Sequence, residues 1–217
     1  MSKGKNLVII PAHNEEKTIL NVINKVKKYS SVLVIDDFSK DKTKVIAKKY
    51  ADFYIRTKKN IGYDKAIFIG LKFAIKKNFS KIVLMDGDNQ HPSTKIPLFF
   101  KKLNKYEYVI GIRSKKNRLV ENLISFYFKL FFKIKDPLCG MKGFSIKNSK
   151  LILKYSNLNL AGMQLNYLFT KSNFKLFQLP IYVKDRSSSS RFGNIITSNI
   201  KLIYFFFKFI IYSLFLN

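Results

Sequence analysis

Short apolar runs that each end abruptly in polar residues constrain this chain more than any other feature. They are Leu7-Val8-Ile9-Ile10, Val32-Leu33-Val34-Ile35, Ile82-Val83-Leu84-Met85 and Tyr108-Val109-Ile110-Gly111-Ile112. A strand with one wet face alternates polar and apolar residues, so continuous runs of this length predict strands buried on both faces. Helices are predicted between them, from the polar break Pro11-Ala12-His13-Asn14-Glu15-Glu16 to about Lys28 and from Ser39 to Tyr50, with a short strand at Phe53-Tyr54-Ile55. Asn60-Ile61-Gly62 leads into another helix, in which Ala66, Gly70 and Ala74 recur at four-residue steps. Small residues at that spacing form a flat stripe that packs closely on a sheet. Strands alternating with helices predict the α/β class, with a doubly wound, mostly parallel sheet. Ligands of such sheets bind beyond the carboxyl ends of the strands.

Carboxylates stand at those ends. Asp36 and Asp37 follow the second run, and Asp86 and Asp88 follow the third, in a chain with only 13 acidic residues. Two carboxylates one residue apart at the tip of a buried strand are costly unless a cation sits on them. A divalent metal holding a diphosphate is one reading, because Mg²⁺ or Mn²⁺ takes one or two protein carboxylates and completes its shell with phosphate oxygens and water. A strand-end turn is the other, since Asp-Gly-Asp is also good turn chemistry.

The net charge of +28 points to an anionic partner: a nucleoside diphosphate, an acidic lipid surface or a nucleic acid. The lysines are spread along the whole chain rather than gathered into one basic arm, which argues against nucleic acid. Part of the charge also follows from a general overuse of Lys, Asn, Ile and Phe, as expected of an AT-rich coding sequence. The lone Cys139 allows no internal disulfide and fits a reducing cytoplasm. Met1 to Asn6 run directly into the first strand, so no secretory apolar segment is expected.

Two later segments differ from the rest. Leu119 to Ile134 is rich in Phe, Leu and Ile with Lys129 and Lys133 four apart, and reads equally as core or as a membrane interface. Leu202 to Leu216 is almost wholly apolar, broken by Lys208. It is short of the roughly 20 residues a spanning helix needs, although extension back to Ile195 reaches that length. An interfacial helix is the expectation, with Lys201 and Lys208 reaching toward headgroups. The chain is thus expected to divide into a domain over residues 1–192 and a membrane-associating helix over 193–217, at the cytoplasmic face of the membrane.

Taken in order, several motifs resemble glycosyltransferase family 2, and within it the polyprenyl-phosphate (dolichyl-phosphate) mannose or glucose synthases. They are Ile10-Pro11-Ala12-His13-Asn14-Glu15, Val34-Ile35-Asp36-Asp37-Phe38-Ser39, Asn60-Ile61-Gly62, Met85-Asp86-Gly87-Asp88-Asn89-Gln90-His91-Pro92, Gly111-Ile112-Arg113-Ser114, Asp136 to Phe144 and Asp185-Arg186. The resemblance implies a GT-A fold and transfer of a hexose from a nucleoside-diphosphate sugar, GDP-mannose or UDP-glucose, to a polyprenyl phosphate at an anionic membrane surface. It implies that Pro11, Asn14, Glu15, Asp37 and Asp86 meet the nucleotide-sugar. Asp86, Asp88 and Gln90 would hold Mg²⁺ or Mn²⁺, and Asp86, Asp88, Arg113 and Arg186 would serve catalysis. Arg118 is a further candidate for the anionic clamp, although its setting among Lys115, Lys116 and Asn117 favours a surface charge.

The chain departs from the family pattern in places. Phe38 stands where a glycine is usual. Cys139 takes a position often held by Ser, and reads as a small buried side chain. Ser187 to Ser190 with Arg191 match the family's closing motif only loosely. Asn166 stands where the family tends to place an acid, which leaves Asp136 as the one plausible general base. A phosphate acceptor needs no base, being largely dianionic near neutrality, so the lipid phosphate is favoured over a saccharide acceptor in lipopolysaccharide or capsule assembly. A non-catalytic basic protein of the membrane surface is the other alternative.

Overall fold

All four apolar runs are strands of one seven-stranded sheet in the order β3-β2-β1-β4-β6-β5-β7. The computed structural model describes residues 6–116, 118–148, 160, 162–184 and 195–215. The strands are β1 (Asn6–Ala12), β2 (Ser31–Asp36), β3 (Phe53–Arg56), β4 (Lys81–Leu84), β5 (Tyr108–Arg113), β6 (Lys142–Ser145) and β7 (Leu176–Ile181). All neighbours pair in parallel except β6, which runs antiparallel to both β4 and β5. The expected doubly wound, mostly parallel sheet is therefore present, with one reversed strand, β6, between β4 and β5.

Helices α1 (Ile19–Lys27), α2 (Thr43–Tyr50), α3 (Tyr63–Lys76), α4 (Ile96–Lys102), α5 (Leu119–Phe132), α6 (Met163–Lys171) and α7 (Ile195–Phe215) complete the described fold. Helix α1 buries Ile19, Val22, Ile23 and Val26, the spacing of one helical face. The small-residue stripe of α3 packs as expected: a Cβ at Gly70 would lie 2.6 Å from Cγ2 of Ile9 on β1.

Helices α1 and α2 start later than their sequences predict, because the residues before them join two loops to each other. Asn14 N–H donates to Ser39 Oγ (3.0 Å), and Lys40 N–H donates to Asn14 Oδ1 (2.8 Å). Glu15 N–H donates to Thr43 Oγ1 (2.8 Å), and Glu16 N–H to Asp41 Oδ2 (3.0 Å). Short polar side chains offer the backbone partners that compete with a first helical turn. Phe38, in the same region, has φ of 61°. The turn thus takes the left-handed backbone that a glycine would adopt without strain.

Both late segments are helical, and each is divided lengthwise. Tyr127 and Phe128 of α5 face Phe206 and Phe209 of α7 across ring-centroid distances of 5.1 Å (Tyr127–Phe206) and 4.8 Å (Phe128–Phe209). On the far side of α5, Leu119, Leu123, Phe126 and Leu130 are exposed, and on α7 so are Ile200, Tyr204, Phe207 and Ile211. One face of Leu119 to Ile134 is core, as one of its two readings expects, and the other face is exposed. Among the described residues, no helix is long and apolar enough to cross a membrane.

Candidate active site

Beyond the carboxyl ends of β1, β2, β4 and β5 lies a cleft of about 400 Å³. Pro11 and Ala12 from the end of β1, Asp37 from the end of β2, and Gly62 and Tyr63 at the start of α3 line one end of it. Asp37 is buried, and its carboxylate accepts the backbone N–H groups of Ile61 and Gly62, both at 2.8 Å. It therefore ties the second strand to the third helix where Gly62 turns with φ of 89°. His13 also lines the cleft and donates from Nδ1 to the Asp37 carbonyl (2.7 Å). Asp36 faces the other way. It is fully buried and accepts Arg56 Nη1 (2.6 Å), Tyr54 Oη (2.8 Å) and Ser39 N–H (2.8 Å). Asp36 thus belongs to the sheet edge, not to the rim of carboxylates its sequence suggested.

Asp86 and Asp88 line the middle of the cleft. Asp86 Oδ2 lies 3.1 Å from His91 Nε2, and Asp88 Oδ1 accepts Gln90 N–H at 3.1 Å. A Cβ on Gly140 would lie 2.1 Å from Asp86 Oδ2, so only glycine at 140 admits this carboxylate pose. Gln90 and Asp86 share an adjoining cavity of about 50 Å³, where Gln90 Nε2 donates to the Lys184 carbonyl (3.1 Å). Two carboxylates and an amide oxygen form a hard donor set that suits Mg²⁺ or Mn²⁺. Among the described residues, no group of three or more His, Cys, Asp or Glu side chains could hold a metal ion.

Arg113, Arg118 and Glu121 line the far end of the cleft, with Leu202 and Phe205 of α7 beside them. Asp136 grips Arg113 through Nε (2.8 Å) and Nη2 (2.9 Å) and also accepts its backbone N–H (3.0 Å). Burial works against charge on both groups. Their mutual hydrogen bonds and attraction prevail, raising the Arg113 guanidinium and holding the Asp136 carboxyl below its usual range. Glu121 Oε2 accepts Arg113 Nη2 (2.9 Å), and its Oε1 accepts Arg118 Nη1 (3.1 Å). Lys142 also lines the cleft; its buried ammonium donates to the Cys139 carbonyl, and burial lowers its affinity for the proton.

The structure brings Pro11, Asp37, Asp86, Asp88 and Arg113 together as expected. Asn14 and Glu15 are not among the cleft-lining residues and serve the loop junction instead. Arg186, with Asp185, Ser187 to Ser190 and Arg191, lies outside the described residues. Arg118, a clamp candidate whose lysine-rich setting favours a surface charge, lines the cleft. Asp136 is no general base, because it is buried and committed to Arg113. Asn166 is fully buried, accepting from Tyr108 Oη (2.5 Å) and donating to the Pro137 carbonyl (2.7 Å). Cys139 is buried as read, and burial chiefly pushes its thiol up to about 12. Glu121 was missed, although it is the one acid in an aromatic helical segment, and that isolation was a usable signal.

Residues 7–144 match the family model for glycosyl transferase family 2. An uncharacterised protein of Methanocaldococcus jannaschii is 30% identical over 91% of this chain and 89% of its own length. The UDP-N-acetylglucosamine–dolichyl-phosphate N-acetylglucosaminyltransferase of Methanococcus voltae is 28% identical over 67% of this chain and 71% of its own. The fold is similar to glucosyl-3-phosphoglycerate synthase of Mycobacterium tuberculosis, solved with Mn²⁺, UDP and glucosyl-3-phosphoglycerate. That match has a TM-score of 0.66 at 16% identity and covers 94% of this chain and 79% of the other. With the carboxylates at the strand ends, the paired aspartates and the mixed sheet in place, the chain belongs to glycosyl transferase family 2 and is a glycosyltransferase of the GT-A fold.

Proposed function

We propose that this glycosyltransferase moves one sugar from a nucleoside-diphosphate sugar to a polyprenyl phosphate at a membrane surface. One observation carries the reading: two guanidiniums and an apolar wall from α7 share the end of the cleft beyond Asp86. Guanidinium forks suit phosphate oxygens, and Leu202 and Phe205 suit a hydrocarbon chain. A saccharide hydroxyl would need a base within hydrogen-bond reach. Among the described residues, Glu121 and Asp136 are committed to arginines and Asn166 faces the core. A phosphate monoester already carries its negative charge near neutrality. The Methanococcus voltae relative, whose name specifies dolichyl phosphate, supports the same acceptor.

In this reading, a divalent metal held by Asp86, Asp88 and Gln90 would neutralise the departing diphosphate. Arg113 and Arg118 hold the acceptor phosphate in line with the anomeric carbon, against the repulsion between two anions. A phosphate oxygen forms the new bond to that carbon while its bond to the diphosphate breaks. The electron pair leaves with the nucleoside diphosphate, no proton has to move, and the anomeric configuration inverts. Pro11 and Asp37 line the nucleotide end.

The exposed stripes of α5 and α7 would rest on the bilayer. Lys129, Lys201 and Lys208 are exposed on these helices, Lys133 is exposed just past the end of α5, and α7 contains no acidic residue. Apolar residues with lysines alone around them complement an anionic lipid surface, here the cytoplasmic face.

The test is transfer of radiolabel from GDP-mannose, UDP-glucose and UDP-N-acetylglucosamine into organic-extractable polyprenyl phosphate, with Mn²⁺ or Mg²⁺ and with EDTA. EDTA-sensitive label in the lipid phase is expected, with Asp88→Asn losing turnover by about two orders of magnitude or more. Nucleotide release that needs a saccharide acceptor, with no labelled lipid, would overturn the acceptor. Near wild-type turnover of Asp88→Asn would overturn the metal pair.

A further inference from the structure

We infer that Glu121 is a positioning residue for the acceptor phosphate, gathering Arg113 and Arg118 into a single clamp of two guanidiniums. The inference rests on the acceptor reading above and adds to it the residue that gives the clamp its shape. Glu121 is nearly fully buried, its side chain 4% exposed, and spends one carboxylate oxygen on each arginine. The arginines are more open, at 15% and 19%, and both line the cleft. Glu121 also lines the cleft but is the most buried of the three, so the two guanidiniums are the groups more open to the space a ligand would fill.

Asp136 already grips Arg113 through Nε and Nη2 and sets its place. What Glu121 adds is the distance between Arg113 and Arg118, because two like charges converge only around a shared anion. Arg113 Nη1 has no partner among the described residues, so its two N–H groups remain for a phosphate. Donors fixed before the ligand arrives lose little further side-chain freedom on binding.

The helix carrying Glu121 adds a second reason for this placement. Glu121 lies in the first turn of α5, on the side buried with Ile124, Ser125 and Phe128. Leu119, Leu123, Phe126 and Leu130 are exposed on the opposite side. Where that stripe meets lipid, the buried side holds the clamp at the boundary between hydrocarbon and headgroup. A polyprenyl phosphate carries its phosphate at that level.

The experiment measures kcat and both KM values for wild type, Glu121→Gln, Glu121→Asp, Arg118→Gln and the Glu121→Gln/Arg118→Gln double variant. Gln keeps one acceptor oxygen and replaces the other with a donor, so it can serve only one arginine. The KM for polyprenyl phosphate should rise about tenfold in Glu121→Gln, with the KM for the nucleotide-sugar within about twofold. Glu121→Asp should recover part of that loss. The double variant should cost little more than the worse single one, because both remove the same arrangement. Equal rises in both KM values, an unchanged acceptor KM, or additive losses in the double variant would each overturn the role of Glu121. Should Glu121→Gln fail to fold, Arg118→Gln with Glu121→Asp gives the same donor-against-acceptor split. An active wild type with unaltered variants removes this inference alone. A wild type that never labels polyprenyl phosphate removes the acceptor reading and the inference together.

Discussion

The two ends of the cleft hold their charged groups by different means. At the end lined by Pro11 and Asp37, the carboxylate meets backbone amides: Asp37 accepts from Ile61 and Gly62. At the far end carboxylates meet guanidiniums: Asp136 takes Arg113, and Glu121 takes Arg113 and Arg118. An amide cannot be mutated away and moves only with the chain, so the first end is as rigid as the fold. A guanidinium sits on a flexible stem and is placed by one or two partners. The first end is thus built to keep one geometry. The second can be retuned by single substitutions, at the risk of stranding a buried charge.

Asp136→Asn tests that risk most severely. Its side chain is fully buried and accepts three hydrogen bonds from Arg113. Removing one partner of such a pair leaves an uncompensated charge and costs about 3–5 kcal/mol, read from urea unfolding. The pH dependence should follow from the lowered carboxyl. The unfolded chain, with its carboxyl near the ordinary 3.8, takes up the proton before the folded one does. The stabilisation is therefore complete above about pH 4 and is lost as pH falls below it. Asp136→Asn should flatten that part of the acid limb, and an unchanged limb would show that Arg113 draws its hold from elsewhere.

Gly140→Ala strikes between the two ends. The new Cβ would lie 2.1 Å from Asp86 Oδ2, so the carboxylate must move. Turnover should fall about 100-fold, as for misplacement of a group at the reacting centre. Little change in far-UV circular dichroism is expected. Asp37→Asn should have a smaller effect. One amide oxygen can serve Ile61 N–H or Gly62 N–H but not both, and a buried donor left unpaired costs about 1–3 kcal/mol. If Asp37→Asn destabilises as much as Asp136→Asn, the contrast between the two ends fails.

Sequence reveals the first end more readily than the second, for a physical reason. Strands β1, β2 and β4 are continuous apolar runs, and the cleft-lining residues Pro11, Asp37, Asp86 and Asp88 stand at or just after their ends, so one local pattern locates both. Strand β6 escapes that logic because Lys142-Gly143-Phe144-Ser145 holds a buried lysine and a glycine. Strand β7 escapes it through Gln178 and Pro180. The far end depends on pairs distant in sequence. Asp136 lies 23 residues from Arg113, and nothing in its neighbours distinguishes a committed carboxylate from a free base. Arg118 sits in a lysine-rich loop, and only the rotation of α5 turns Glu121 toward it. Asn14 and Glu15 show the converse limit: a local motif identified them, but their direction was set by the facing loop around Ser39 and Thr43.

The smallest effect expected is at Phe38, where opposing contributions nearly cancel. Its φ of 61° costs a non-glycine residue roughly 1–2 kcal/mol. The ring partly offsets this by lying 5.2 Å from the Arg56 guanidinium, a contact worth about 0.5–1 kcal/mol at an exposed site. Phe38→Gly relieves the strain, loses the ring and adds about 0.5–1 kcal/mol of backbone entropy to the unfolded chain, so stability should change by less than about 1 kcal/mol. Phe38→Ala keeps the strain and loses the ring, and should be the less stable variant by about 1 kcal/mol. Phe38 is not among the residues lining the cleft, so the nucleotide-sugar KM should hold in both variants. Thermal unfolding of the pair is informative because their difference isolates the backbone. Gly above Ala means that the turn after Asp37 is left-handed by requirement. Ala equal to Gly would mean that the loop relaxes, and that the amide lattice around Asp37 is softer than the far end of the cleft.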